Sequence, residues 1–200
     1  RYQLNPGITF RPFRSLKINL SADYENNFNE LQYITTFDYM EDQRYILGTI
    51  DQKTYGMTFR VNLNITPEFS IQYYGSPFIS RGTYSEYKYV TEPEADSYSD
   101  RFMLYDYTVM DNGDIRLDEN RDNVTDYPLG NPNFNFHQFR SNFVAKWEYR
   151  LGSFIYFVWS GERTGQNELS EISLGESYKQ MKDVFPNNIF LIKLNYWFSL

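Results

Sequence analysis

The stretch LKINLSADYE (residues 16–25) alternates without a fault. Leu16, Ile18, Leu20, Ala22 and Tyr24 share one face of an extended chain; Lys17, Asn19, Ser21, Asp23 and Glu25 share the other. Period-two alternation is the signature of a strand with one apolar and one polar side. The pattern continues less regularly to about Tyr39.

Six further segments follow the same rule. Tyr2 to Arg11 puts Tyr2, Leu4, Pro6, Ile8 and Phe10 together. The segment from about Arg44 to Ile65 opposes Tyr55, Met57, Phe59, Val61, Leu63 and Ile65 to Thr54, Gly56, Thr58, Arg60, Asn62 and Asn64. A fourth runs from Phe69 to about Val90, and a fifth from Phe136 to Arg150, with Phe139, Phe143, Ala145 and Trp147 against Arg140, Asn142, Lys146 and Glu148. Ser153 to Ser160 is apolar on both faces. The last segment, NIFLIKLNYWFSL (188–200), carries Phe190, Ile192, Leu194, Tyr196, Phe198 and Leu200 on one side, and its pattern predicts a strand that runs to the last residue.

The connections sort by length. RPFRS (11–15), TPE (66–68) and RLG (150–152) are tight, and they alternate with the tip MEDQ (40–43) and two long polar stretches at about 91–133 and 162–187. Short turns at one end and long loops at the other are the habit of outer-membrane barrels. The clean alternation lasts roughly the 9–11 tilted residues that span a bilayer. The mean hydropathy is −0.62, and no run of about 18 apolar residues forms a membrane helix. Yet the 200 residues include Tyr 19, Phe 17 and Trp 3, a composition suited to aromatic girdles.

The expected fold is therefore an all-β, antiparallel transmembrane β-barrel. Seven strands leave two unpaired edges, which hydrocarbon penalises, and the strand directions place the N-terminus on the outer side. Residues 1–200 are accordingly expected to be the C-terminal part of a larger barrel, with extracellular loops at about 91–133 and 162–187. The start RYQLNPGITF has no signal-peptide pattern, so a leader is expected to have been cleaved or to lie further upstream. A barrel assembled from several chains is the alternative.

Charge and composition narrow the function classes. A net charge of −7, with no basic stripe, argues against nucleic acid as a partner. With no cysteine there is no disulfide, thiolate metal site or cysteine nucleophile. His137 is the only histidine, and no G-x-S-x-G elbow exists to make a hydrolase triad of it. It is expected at the outer rim. The lumen-facing candidates are Lys17, Asp23, Glu25, Arg60, Arg140, Lys146, Glu148, Arg150 and Lys193, which either pair across strands to fill a closed interior or tune a channel. The acidic stretch 110–136 offers Asp111, Asp114, Asp118, Asn120 and Asp122 as calcium ligands. Asp118, Asn120 and Asp122 match the first three positions of an EF-hand loop, but Asn123 stands where its glycine belongs and Leu129 where its glutamate belongs. A looser calcium site or a solvated acidic loop remains. Tyr105, Tyr107 and Tyr127 either stack on sugars or pack the loop.

NPNFNFHQFRSNFVAKWEYRLGSFIYFVWS (131–160), NNIFLIKLNYWFSL (187–200) and DQKTYGMTFRVNLNITPEFSIQYYGSPFISRGTYS (51–85) resemble the C-terminal portion of a family of Bacteroidota outer-membrane proteins of unknown function. The resemblance implies a signal peptide, an N-terminal β-sandwich like family 9 carbohydrate-binding modules, and a C-terminal barrel-type domain. It carries over no catalytic residue. Tyr196, Phe198 and Leu200 resemble the C-terminal signal that the barrel-assembly machinery reads, although the usual last residue is Phe. The expected role is an outer-membrane anchor or envelope-assembly subunit with lipid, envelope proteins and, through an upstream domain, glycan as partners. A conducting porin or TonB-dependent-type transporter barrel, or an outer-membrane hydrolase, is the alternative.

Overall fold

A computed structural model describes residues 1–39 and 42–198. All seven expected strand positions are present, paired as an antiparallel meander in chain order. The first position is interrupted: β1 (Tyr2–Leu4) and β2 (Gly7–Phe13) both pair with β3 (Leu16–Tyr39). The break falls at Pro6, which lacks an N–H for the ladder but still accepts from Ala22 N through its carbonyl, 3.0 Å away. Register survives the break, with Leu4 opposite Tyr24 and Gly7 opposite Ser21. The sheet continues through β4 (Asp42–Asn64) and β5 (Phe69–Val90).

Between β5 and the next long strand the chain forms β6 (Phe102–Leu104), β7 (Asp106–Val109), β8 (Ile115–Asp118) and β9 (Tyr127–Leu129). The large sheet resumes with β10 (Phe134–Arg150), β11 (Ser153–Asn167) and β12 (Asn187–Asn195), and a helix, α1 (Leu174–Asp183), sits before β12. The stretches expected as loops thus carry structure. β6 lengthens the rim of β5, and β7, β8 and β9 form a separate three-stranded sheet.

The three tight turns lie at one end of the sheet, here the turn end; the folded excursions lie at the loop end. In the 150–152 turn Gly152 adopts φ +75°, a conformation that favours glycine, and its N–H donates to Glu148 Oε1 at 2.8 Å. The sheet is open. Among the described residues, neither the outer edge of β1 and β2 nor that of β12 has a partner strand, and no closed barrel is formed. No described helix is long and apolar enough to cross a membrane.

The long strands pass through two environments. β4 is regular along its length, because the bulges at Asn29/Gln32 and Tyr33/Thr35 belong to β3 and that at Glu86 to β5. Ile46, Gly48, Ile50, Gln52, Thr54 and Arg60 therefore share one face. At the loop end the small sheet covers that face: Ile46 and Tyr87 pack with Tyr105, Ile115, Leu117, Tyr127 and Leu129. The opposite face there is covered by the excursion that bears α1. Thr83 Oγ1 donates to Ser170 Oγ at 2.9 Å, and Ser177 Oγ to Asn135 Oδ1 at 3.2 Å. Every buried large apolar side chain lies on the loop side of the row Tyr55–Ile79–His137 or within it.

Two expectations need correction. The last strand stops at Asn195, and Tyr196, Trp197 and Phe198 leave the sheet. Trp197 N donates to Ser153 Oγ at 3.0 Å, which turns the chain across the 150–152 turn. β11 continues past Ser160 to Asn167, because its outer half pairs with β10 up to Asn135.

Candidate functional site

Register turns the alternation of single strands into surfaces. One row crosses the whole sheet as Phe10–Ile18–Val61–Tyr73–Phe143–Trp159–Phe190. The next row toward the turn end reads Leu16–Leu63–Ile71–Ala145–Phe157–Ile192. No side chain of either row is buried; Phe10 is 58% exposed and Ile192 73%. This apolar belt is continuous across every strand position and far larger than the scattered apolar residues of a water-facing surface.

Its height can be read from β4. From Tyr55 to Ile65 the apolar positions cover roughly 33 Å of strand at about 3.3 Å per residue. Tilted by about 40°, as strands of membrane barrels are, the whole apolar stretch would stand about 25 Å tall, like a barrel's apolar band; its upper rows Tyr55–Ile79–His137 and Phe59–Gly75–Ser141 hold buried residues.

Aromatic rings with polar tips stand in the belt and at its turn end. Toward the loop end Trp159 Nε1 donates to Asn188 Oδ1 at 2.9 Å. Its ring lies over Gly161, where an added Cβ would come 3.2 Å from Trp159 Cζ2 and 2.9 Å from Ser141 Oγ. Toward the turn end stand Trp147, Tyr149, Tyr196 and Trp197. Tyr196 also accepts from Arg150 Nη1 at 2.8 Å.

The opposite face holds eight of the nine charged candidates: Lys17, Asp23, Glu25, Arg60, Arg140, Lys146, Glu148 and Lys193 share it by register. Arg150 does not. A bulge between Glu148 and Arg150 sets it opposite Ser153, in step with Ile155 and Phe157, and so on the apolar side.

No two of the nine form an ion pair with each other among the described residues. Glu25 pairs with Arg1 at 2.9 Å and Arg140 with Glu162 at 3.8 Å. Asp23 accepts from Asn5 Nδ2. Four cations rest on aromatic rings instead: Arg60 on Tyr74 at 5.0 Å, Lys146 on Phe154 at 4.3 Å, Lys193 on Tyr156 at 5.8 Å and, on the apolar side, Arg150 on Tyr196 at 5.7 Å. Such contacts satisfy a cation without a carboxylate. The face turns apolar toward the last strand, where Val144, Val158 and Leu191 line up.

These residues answer to a family. One described as Domain of unknown function (DUF5916) matches residues 1–199. The chain belongs to that family. No curated protein and no solved structure matches the chain.

In this DUF5916 chain the acidic stretch spends its carboxylates on its own backbone. Asp118 Oδ1 and Oδ2 accept from the N–H groups of Arg121, Asp122 and Asn123 at 2.6 to 3.3 Å. These bonds hold Arg121 and Asn123 at φ 62° and 66°. Asp122 accepts from Val124 N, Asn120 from Asp122 N, and Asp114 from Asn112. Among the described residues no group of three or more Asp, Glu, His or Cys is arranged to hold a metal ion; Asp111 joins no such group.

A different carboxylate fastens the small sheet to the large one. Arg44 donates to Glu119 through Nε at 3.1 Å and Nη2 at 2.7 Å, and Tyr127 OH donates to the same carboxylate at 2.9 Å. Glu119 raises the Arg44 guanidinium further above its usual range. Burial, with Glu119 second, raises Tyr105; burial, then the bond to Glu119, raises Tyr127. Tyr105 and Tyr127 are buried in the core of this cap, so they pack it and present no sugar platform.

His137 is 3% exposed and not a rim residue in contact with water. It lies under the end of the α1 excursion against Gly165 and Val184, its Nδ1 has no hydrogen-bond partner, and burial lowers its pKa. Leu200 lies outside the described residues, as do Met40 and Glu41 of the expected tip.

The sequence reading missed α1 and what it encloses. Its signal was present as SLGE (173–176), a capping box: Ser173 Oγ accepts from Glu176 N at 3.1 Å. Met181 and Ser177 then fall four apart on the packed side. Beneath the helix a cavity of about 770 Å³ opens on the apolar face, with Phe59, Tyr73 and Phe139 in its wall.

Proposed function

We propose that this chain is the membrane-spanning C-terminal part of an outer-membrane β-barrel. It serves as an anchor or envelope-assembly subunit of a Bacteroidota surface protein whose upstream domain contacts glycan. The observation that carries the proposal is the seven-strand apolar row from Phe10 to Phe190, left uncovered while β4 and β5, which cross it, bury residues on both faces at the loop end. In water such a belt drives association. In a bilayer it needs no cover.

Three further features support the reading. The belt's opposite face carries most of the charge. Aromatic side chains with polar tips stand at the turn-end border, where a membrane interface favours them. Two open edges call for more strands, because each unpaired backbone group in hydrocarbon costs several kcal/mol. The barrel-assembly machinery would then meet the C-terminal segment, and further envelope proteins would meet the folded loops.

An anchor is favoured over a conducting barrel by the small sheet. It packs on the face that carries Arg60 and Thr54 lower down, and so sits where a lumen would open. The hydrolase alternative is not favoured: among the described residues His137 Nδ1 has no side-chain partner, and no three or more of Asp, Glu, His and Cys converge.

The test is reconstitution of the full-length protein into planar bilayers and vesicles. Insertion with protease-protected strands and without steady conductance steps supports the anchor. Regular single-channel steps would replace it with a porin, and failure to insert would remove the membrane assignment.

A further inference from the structure

The cavity beneath α1 lies where a membrane lipid would be met, and its chemistry is amphiphilic. Resting on the membrane assignment above, we infer that it binds one phosphate-headed anionic lipid from the surrounding bilayer. One acyl chain lies against Phe59, Tyr73, Phe139 and Met181, and the phosphate lies at Arg163 and Lys182.

The wall is continuous with the belt. Phe59 and Tyr73 belong both to the cavity and to the apolar face below it, so a chain enters sideways from the bilayer without crossing water. Gly75, in the row above Tyr73, also lines the cavity, with the Tyr73 ring packed against it. A volume of about 770 Å³ is within the range of small-molecule sites.

The mouth is cationic in a chain whose net charge is −7. Among the described residues neither Arg163 nor Lys182 forms an ion pair with a carboxylate. Arg163 Nη1 donates to the carbonyls of Lys182 and Val184 and so is fixed at the end of α1. The Lys182 ammonium stands 4.7 Å from the Tyr178 ring. Two fixed cations over an apolar slot, level with the top of the belt, match a phosphate at the headgroup depth with its chain directed downward. A zwitterionic lipid fits the slot but leaves the paired positive charge half answered.

The experiment is native mass spectrometry of the full-length protein released from nanodiscs containing equal dioleoylphosphatidylglycerol and dioleoylphosphatidylcholine. Insertion is scored separately by protease protection in vesicles of the same mixture. The expected result is one retained phosphatidylglycerol, preferred over phosphatidylcholine by roughly tenfold. Lys182→Glu abolishes the preference, Met181→Trp fills the slot and removes both adducts, and Lys179→Glu on the exposed side of α1 changes neither. Equal retention of the two lipids by the wild type, or an unchanged preference in Lys182→Glu, overturns the lipid site while protease protection leaves the membrane assignment standing. A protein that fails to insert overturns both. Should Met181→Trp lose its sheet signal in circular dichroism, Lys182→Glu decides alone.

Discussion

Glu119 holds the cap to the large sheet, because one carboxylate takes both arms of Arg44 and the Tyr127 hydroxyl. Bonds to a charged acceptor are worth about 1.5–3 kcal/mol each in favourable settings, so Glu119→Ala is expected to cost about 2 kcal/mol. Faster amide hydrogen exchange confined to 105–129 would check it. Exchange unchanged there would mean that the apolar contacts alone hold the cap. His137 gives a second, acid-side prediction. Its folded pKa is below the ordinary value, so near pH 6 the unfolded chain binds more protons than the folded one. Stability is whole above about pH 6.5 and falls as the pH drops through the folded value. Thermal melts between neutral pH and pH 5 should show the decline, and His137→Leu should flatten it. The buried hydroxyls of Tyr87, Tyr105 and Tyr127 act in the other direction, all raised chiefly by burial. They keep their protons when folded, so the cap weakens as the pH rises past about 10. At this scale parity alone made eight charged residues legible. It missed Arg150, because a bulge is invisible to a two-residue period. The roles of the acidic residues were equally hidden, since carboxylates that close a turn and carboxylates that hold a cation have the same composition.

β4 shows what an element can disclose. Its uninterrupted alternation predicted one surface from Tyr55 to Leu63, and register confirmed a neighbour for each position on β3 and β5 or on one of them. In a bilayer Val61→Lys should cost about 2–4 kcal/mol, as a cation does at the midplane of a barrel's lipid face, while Asn62→Lys one residue away should cost little. Unfolding of the two variants in lipid vesicles measures the difference, and equal costs would contradict the two-faced strand. Where elements were missed, the cause was length. β8 and β9 each carry only two buried apolar residues, Ile115 and Leu117 or Tyr127 and Leu129, and β7 carries none, between strong turn formers. No period emerges from so few residues, and tertiary contact with Ile46 and Tyr87 decides them. α1 was legible through its capping box but was masked by a stretch otherwise rich in loop residues. β12 ended early because Trp197 turns toward Ser153, a contact that local pattern cannot announce.

For the whole molecule, one meander has two kinds of surface. Its loop end buries apolar side chains on both faces beneath the cap and α1, as a protein in water does; its turn end leaves the apolar rows of Val61 and Leu63 uncovered. The order and sorting of the strands were written in the sequence, since alternation and turn length are local. Closure was not, because an edge partner leaves no mark on the strand it would cover. The central claim, that the belt faces lipid, is tested most directly on β4. The chain has no cysteine, so in a full-length protein without other cysteines, single ones can be placed at each position from Met57 to Asn64. Each would carry a fluorescent label and be read in vesicles of brominated lipid. The account predicts strong quenching at Met57, Phe59, Val61 and Leu63 and weak quenching at Thr58, Arg60, Asn62 and Asn64. Quenching without that alternation, or full access of a water-soluble quencher to both sets, would contradict it.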